Sequence, residues 1–279
     1  MKKIAFLFLI LDNPNFPKIW NKYFRNHKDK YSIYIHPKYP EKTTWKKKHI
    51  IHNLKNTQWG FITEAYIELL KTAITDPDNY KFVTISESCV PIQSFENFYN
   101  KAIEDPRSWI KSMKISYYNL KTRINTQITK PKPNHFLKNY ARFCLNRNHV
   151  SQLLSKNNEL QFFHKMHVGD EFFLSVLYPL KNTRDFAVTF DDWDYVIKEG
   201  YKIKNEIKKL YLIPNSKDRS SKIKELQNKY SNIMKNPKMI TNVQDDLEQI
   251  KNCDSYFYRK FSKDSNIEKY WKEIIDYHN

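Results

Sequence analysis

The segment Tyr80 to Ile92 reads Tyr-Lys-Phe-Val-Thr-Ile-Ser-Glu-Ser-Cys-Val-Pro-Ile, and it constrains this chain most. A short apolar β run breaks off at a cluster of small polar groups around one carboxylate, Glu87, before Pro91 turns the chain. In open α/β sheets ligands bind outside the carboxyl ends of strands. The segment is either a strand delivering chemistry to that edge or an ordinary strand and turn, and taken alone it leaves both readings open.

With 279 residues, 40% hydrophobic and 15% aromatic, the chain can bury a substantial core and lies near the upper size of one domain. Glycine is limited to Gly60, Gly169 and Gly200. Neither a phosphate-cradling P-loop nor a Gly-x-Gly-x-x-Gly turn can be built, so Walker-type NTPases and Rossmann dehydrogenases are excluded. A formal charge of +18 favours an anionic partner: nucleic acid, an acidic surface or a phosphorylated donor.

Cys89, Cys144 and Cys253 are widely spaced and odd in number, which argues against a disulfide framework or a zinc knuckle and for a reducing compartment. Cys89 has no base beside it in sequence and reads as a small core residue. Met1-Lys-Lys before Ile4 to Leu11 imitates a signal peptide, but the apolar run is short and lacks a small-residue cleavage site. It reads as a first buried strand. No stretch approaches bilayer-spanning length, so the chain as given is expected to be soluble or cytoplasmic, without a transmembrane segment.

Strands are expected over Ile4 to Leu11 and Tyr31 to His36, around a helix carrying Trp20, Tyr23 and Phe24, which makes a β-α-β opening. A further short strand is expected within Lys46 to Asn53. A helix over Phe61 to Ile74 stops at Asp76-Pro77-Asp78, and Ser94 caps a helix running through Ile103. Asn119 to Asn139 reads as a loop. Phe143-Cys-Leu145 reads as a strand and Asn148 to Leu154 as a helix; Asp170 to Leu177 looks like a buried helix start, and Phe186 to Phe190 like a strand. Beyond Gly200 two lysine-rich amphipathic patterns suggest an inserted helical pair at about 198–236. The alternation is that of an α/β class.

Several of these residues fall in a recognisable order. Ile4-Ala-Phe-Leu-Phe-Leu-Ile, Trp20, Tyr23-Phe24, Tyr31 to His36, Thr57-Gln-Trp-Gly60, Ser86-Glu-Ser-Cys-Val-Pro91, Phe143-Cys-Leu-Asn-Arg147, Gly169-Asp-Glu-Phe-Phe173, Asp192-Trp193 and Phe257-Tyr-Arg-Lys-Phe261 follow one another at plausible spacing. The series resembles the core-2/I-branching β-N-acetylglucosaminyltransferase family and its plant and viral relatives. One departure stands out: the Gly-Ser-Gln-Trp that usually precedes Phe-x-Leu-x-Arg is here Asn139-Tyr-Ala-Arg142. The membrane anchor of the Golgi members has no counterpart in this sequence.

The resemblance implies a GT-A-like single domain over 1–279, with a Rossmann-like mixed central sheet flanked by helices. It also implies inverting transfer of a sugar, such as N-acetylglucosamine or xylose, from a UDP-sugar to a hydroxyl of a glycan or glycoprotein. One-step inversion needs a base opposite the leaving diphosphate. Glu171 matches the family's base, although from the residues alone Asp170 could be a helix cap and Glu171 a complement to the dipole.

The departing diphosphate needs offsetting positive charge. The resemblance assigns it to Lys260, with Arg259 beside it and Lys238 as a second basic group, so that no metal or other cofactor is expected. His36 closes the strand where the family places the nucleotide, although a lone His there is more often structural. Trp193 and Tyr195 resemble an acceptor-lining pair, since aromatic faces suit sugar C–H surfaces. Glu87 and Arg147 are further candidates to orient acceptor or donor groups; a buried salt bridge would explain them equally. Two competing readings remain: a metal-dependent GT-A enzyme using Asp191 or Asp192, and a basic nucleic-acid-binding protein without activity. No helix-turn-helix, zinc-finger or RNP pattern supports the latter, and no nucleic-acid partner is expected.

Overall fold

The structure is a computed structural model and describes residues 1–113, 136–214 and 216–278. In its first half, β1 (Lys3–Ile10), α1 (Pro17–Tyr23), β2 (Tyr31–Pro37), α2 (Thr63–Ala73), β3 (Asn79–Ser86), β4 (Val90–Pro91), α3 (Phe95–Glu104), β5 (Ser108–Trp109) and β6 (Ser112–Met113) follow one another. Then come β7 (Lys138–Asn139), β8 (Cys144–Asn146), α4 (Arg147–Ser155), α5 (Asn157–His164), β9 (Thr183–Arg184), β10 (Thr189–Asp191), α6 (Trp193–Tyr211), α7 (Lys217–Ile233), α8 (Leu247–Lys251), β11 (Phe257–Arg259) and α9 (Ile267–Tyr277).

Among the described residues a six-stranded sheet runs β2-β1-β3-β8-β5-β9. β1 pairs in parallel with β2 and β3, while β8 lies antiparallel to both β3 and β5. The unbroken apolar character of β1 follows from burial on both faces, with alternate side chains sent to opposite cores. Ile4, Phe6, Phe8 and Ile10 pack with Trp20, Tyr23, Phe24, Phe98 and Phe257, whereas Ala5, Leu7 and Leu9 pack with the apolar side of α2. This is a mixed α/β, GT-A-like architecture. A second, three-stranded sheet, β10-β11-β4, hangs the C-terminal part of the chain on the segment that follows β3.

Most expected elements are present, and Ser94 caps α3 by accepting the Asn97 amide at 3.3 Å. Four expectations are corrected. Lys46 to Asn53 holds a single 3-10 turn at Lys47–His49 and one bridge, Ile35 to Ile50, because its lysines leave too little apolar surface for a ladder. Asp170 to Leu177 is not an α-helix but two 3-10 turns, Gly169–Glu171 and Phe173–Leu177. The strand near Phe186 begins only at Thr189; before it the Val188 carbonyl is shared by the amides of Tyr256 and Phe257, both at 3.1 Å. The first helix of the lysine-rich pair starts at Trp193, where Asp192 caps it, rather than beyond Gly200.

The loop expected over Asn119 to Asn139 lies mostly outside the described residues, but its end, Lys138–Asn139, pairs with Ser112–Met113 as β7 against β6. α6 and α7 form a helical hairpin in which Gly200 faces Tyr230 and Met234. No helix among the described residues is long and apolar enough to cross a membrane.

Candidate functional site

Three chain segments are sewn together at the carboxyl edge of β1 and β3. After β1, the Asn15 amide donates to the Glu87 carbonyl at 2.8 Å and its side-chain amide donates to the Phe261 carbonyl at 2.9 Å. The Phe261 amide donates to the Ser88 carbonyl at 3.1 Å. The polar cluster at the end of β3 and the Arg259-Lys260 pair at the end of β11 therefore share one edge, although more than 160 residues separate them in sequence. Cys89 is fully buried there, its thiol 3.2 Å from the Ser86 hydroxyl, which fits a core role.

The turn that carries Glu171 is fixed by backbone geometry. Val168 adopts a left-handed conformation, φ 52°, which a β-branched residue holds only under strain of about 1–3 kcal/mol. Its amide donates to the Gly60 carbonyl at 2.6 Å, and Gly60 itself has φ 80°. At Gly169 a Cβ would run into the Phe163 carbonyl and lie 2.8 Å from Thr63 Oγ1. The Thr57-Gln-Trp-Gly60 and Gly169-Asp-Glu motifs are thus two sides of one tight contact. Asp170 is buried, while the half-buried Glu171 carboxylate lies 3.2 Å from the Lys138 ammonium on β7.

On the cation side, the half-buried Lys260 donates to Asn236 Oδ1 at 2.9 Å. Burial, followed by the charge of Arg259, lowers its pKa from the usual lysine value, and Glu87 opposes that shift. Arg259 is held at 2.7 Å by Asp191, its partner in the parallel β10–β11 register. Arg142, at the start of β8, is buried and donates to the Tyr66 hydroxyl at 2.8 Å. Burial raises the Tyr66 hydroxyl to about 12, and Arg142 opposes the rise. The segment from Lys138 to Arg142 links the two sides, since Lys138 meets Glu171 and Tyr140 feels the charges of Asp191 and Asp194.

The remaining candidates divide. Trp193 and Tyr195 occupy the first turn of α6, Trp193 half-buried and Tyr195 43% exposed, so an aromatic face is open to a ligand. Lys238 sits 4.8 Å over the Tyr195 ring, but its ammonium is committed to the buried Asp246, which makes it a support for the aromatic pair rather than an open donor ligand. His36 closes β2 as expected, yet it is fully buried and its Nε2 accepts the Lys55 amide at 2.8 Å. It straps the chain after β2 and offers no surface to a nucleotide.

Arg147 is a clear correction. Its guanidinium donates to the carbonyls of Ile74, Asp76 and Asn79 at 2.8, 2.9 and 3.0 Å. It closes the end of α2 and the start of β3, at the opposite edge of the sheet from Glu87, because a cation satisfies the orphan carbonyls of a helix C-terminus. Asp191 pairs with Arg259, and Asp192 accepts from the Tyr195 amide at 3.0 Å and from Gln249 at 3.4 Å. Among the described residues no three His, Cys, Asp or Glu side chains stand close enough to hold a metal ion.

Tyr66, Lys138, Arg142 and Asn236 join this site without having been singled out for it from the sequence. Only Arg142 left a signal there, as the residue at which the motif before Phe143 departs from the family pattern.

Comparison with known proteins bears on the family of the chain. Glycosyltransferase BC10 of Oryza sativa subsp. japonica is 28% identical over 120 residues, 39% of this chain, and the match spans 30% of the length of that relative. A family model for the core-2/I-branching enzyme matches residues 4–200, which takes in the end of β3, the Glu171 turn and the start of α6, and leaves Lys260 outside. On that match, over more than half of its length, the chain belongs to the core-2/I-branching enzyme family.

Proposed function

We propose that this protein is an inverting, metal-independent glycosyltransferase that moves a sugar from a UDP-sugar to a hydroxyl of a glycan or glycoprotein. The observation that carries the reading is the Glu171 carboxylate, held on a strained turn at the edge that also gathers Lys260 and Arg142. In the step, the acceptor oxygen bonds to C1 of the sugar while the bond from C1 to the diphosphate oxygen breaks. Glu171 takes the hydroxyl proton, and Lys138 fixes the carboxylate's direction. Lys260 offsets the charge that develops on the departing UDP, and Asn236 holds its ammonium in place. Trp193 and Tyr195 present a face on which an acceptor sugar stacks.

A panel of UDP-sugars, assayed for binding and slow hydrolysis in EDTA, tests this reading. At least one UDP-sugar should bind and be hydrolysed without metal. Lys260→Ala should weaken UDP by about 2–3 kcal/mol while leaving uridine unchanged, as expected for removing a charged partner of a phosphate. Strict dependence on Mn²⁺ or Mg²⁺ would overturn the metal-independent mechanism.

A further inference from the structure

Arg142 is a buried cation that makes no ion pair among the described residues. It is 7% exposed, yet its hydrogen bonds run only to the Tyr66 hydroxyl at 2.8 Å and the Ala141 carbonyl at 3.2 Å. Its Nε has no partner among the described residues. Burying a guanidinium without a carboxylate in contact is costly, and folds rarely retain one that has nothing to bind. Asp191, one of the acids whose charge reaches it, is already held by Arg259.

The position is equally informative. β8 is the neighbour of β3 on the side away from β1 and β2, and the Cys144 register with Val83 sets Arg142 toward the carboxyl end of β3. Lys260 feels the charges of Arg142, Arg259 and Glu87 together. Three cations thus converge where β3 ends; the Nε of Arg142 and that of Arg259 both lack a partner among the described residues, and of these two guanidiniums only that of Arg259 has a carboxylate in contact. A planar guanidinium with open N–H groups is suited to a carboxylate or a phosphate oxygen.

We propose that Arg142 reads an anionic oxygen of the donor beside Lys260, either on the diphosphate or on the carboxylate of a uronic-acid sugar. This rests on the sugar-nucleotide reading above. Tyr66 is then a positioning residue, since its hydroxyl holds one arm of the guanidinium and leaves Nε open.

Calorimetric titration of the wild type, Arg142→Gln and Arg142→Lys with uridine, UDP, UDP-glucose, UDP-glucuronate and inorganic pyrophosphate tests the assignment. If Arg142 reads the diphosphate, Arg142→Gln should lose about tenfold or more in affinity for UDP and pyrophosphate and keep its affinity for uridine. If it reads a sugar carboxylate, a comparable loss should fall on UDP-glucuronate and spare UDP-glucose. Arg142→Lys should recover part of the loss in either case. An equal loss on uridine, or unchanged affinity for all the anionic ligands, would overturn the proposal. Should Arg142→Gln fail to fold, Tyr66→Phe serves instead: it keeps the charge but frees the guanidinium, and anion affinity should fall while uridine affinity holds; an unchanged anion affinity would again overturn it. If the wild type bound pyrophosphate through Arg142 but no UDP compound, the anion site would stand and the glycosyltransferase reading would fall.

Discussion

Asp191 and Arg259 face each other across the parallel β10–β11 pair with 2.7 Å between carboxylate and guanidinium. Both side chains are largely buried, 7% and 14% exposed, so the pair is a joint between the C-terminal strand and the chain that leads into α6. Asp191→Asn leaves a buried guanidinium without its counter-charge, at a cost of about 3 kcal/mol. Denaturant unfolding should show that loss, and a Mn²⁺ titration should give the same response for variant and wild type. Loss of metal-dependent activity with unchanged stability would make Asp191 a ligand instead of a structural partner.

Glu171→Gln keeps the shape and hydrogen-bonding reach of the side chain but cannot take a proton. Transfer should drop by about 10²- to 10⁴-fold, the usual contribution of a general base, with donor affinity retained. Measured with a working acceptor, near-full turnover in this variant together with loss in Asp170→Asn would move the base one residue earlier.

Gly169→Ala places a methyl group against the Phe163 carbonyl and Thr63 Oγ1. Backbone atoms cannot give way cheaply, so the turn must shift, with a stability loss of about 1–3 kcal/mol. Because Glu171 rides on this turn, kcat should fall further than global stability explains. A folded variant with wild-type kcat would show that the turn does not set the carboxylate's position.

Arg147→Ala removes hydrogen bonds to three carbonyls at the edge remote from the site. Stability should fall by about 2–3 kcal/mol, as for hydrogen bonds from a charged donor. At temperatures where the variant stays folded, KM for donor and acceptor should match the wild type. A selective rise in acceptor KM would restore the binding role that its motif suggests.

Acid should destabilise the fold through its buried histidines. Burial lowers the pKa of His36 and of His149 below the ordinary value of 6.5, and each ring sits inside the structure, His36 on the Lys55 amide and His149 2.7 Å from the Ser108 hydroxyl. Above pH 6.5 both states are neutral and stability is full. As pH falls below that value the unfolded chain takes up protons that the folded chain refuses, and stability declines until the folded-state pKa is passed. Urea midpoints measured from pH 7.5 down to about 5 should decline, and His149→Gln should flatten the decline. A midpoint that does not change over this range would refute the assignment.

The strand and helix order was legible in the sequence because burial writes itself into periodicity. β1 is apolar at every position after Lys3 since both its faces are covered, and α2 and α3 carry their stripes and stops. The family was legible for a related reason: the end of β3, the Gly169-Asp-Glu turn and the Asp192-Trp193 cap are local motifs, each needing only its own few residues. Tertiary structure decided what those motifs do. Arg147 and Arg142 lie five residues apart on either side of β8, and only the antiparallel register with β3 sends one to the far edge and the other to the site. For His36 the sequence left a ligand role and a structural one open, and the chain folding back at Lys55 buries it. Lys260 comes within reach of the Glu87 charge because the Phe261 amide bonds to the Ser88 carbonyl across more than half of the chain. Sequence spacing sets which side chains share a face of one element; which faces meet is set by strand register and by contacts between distant segments, and these have no local signature.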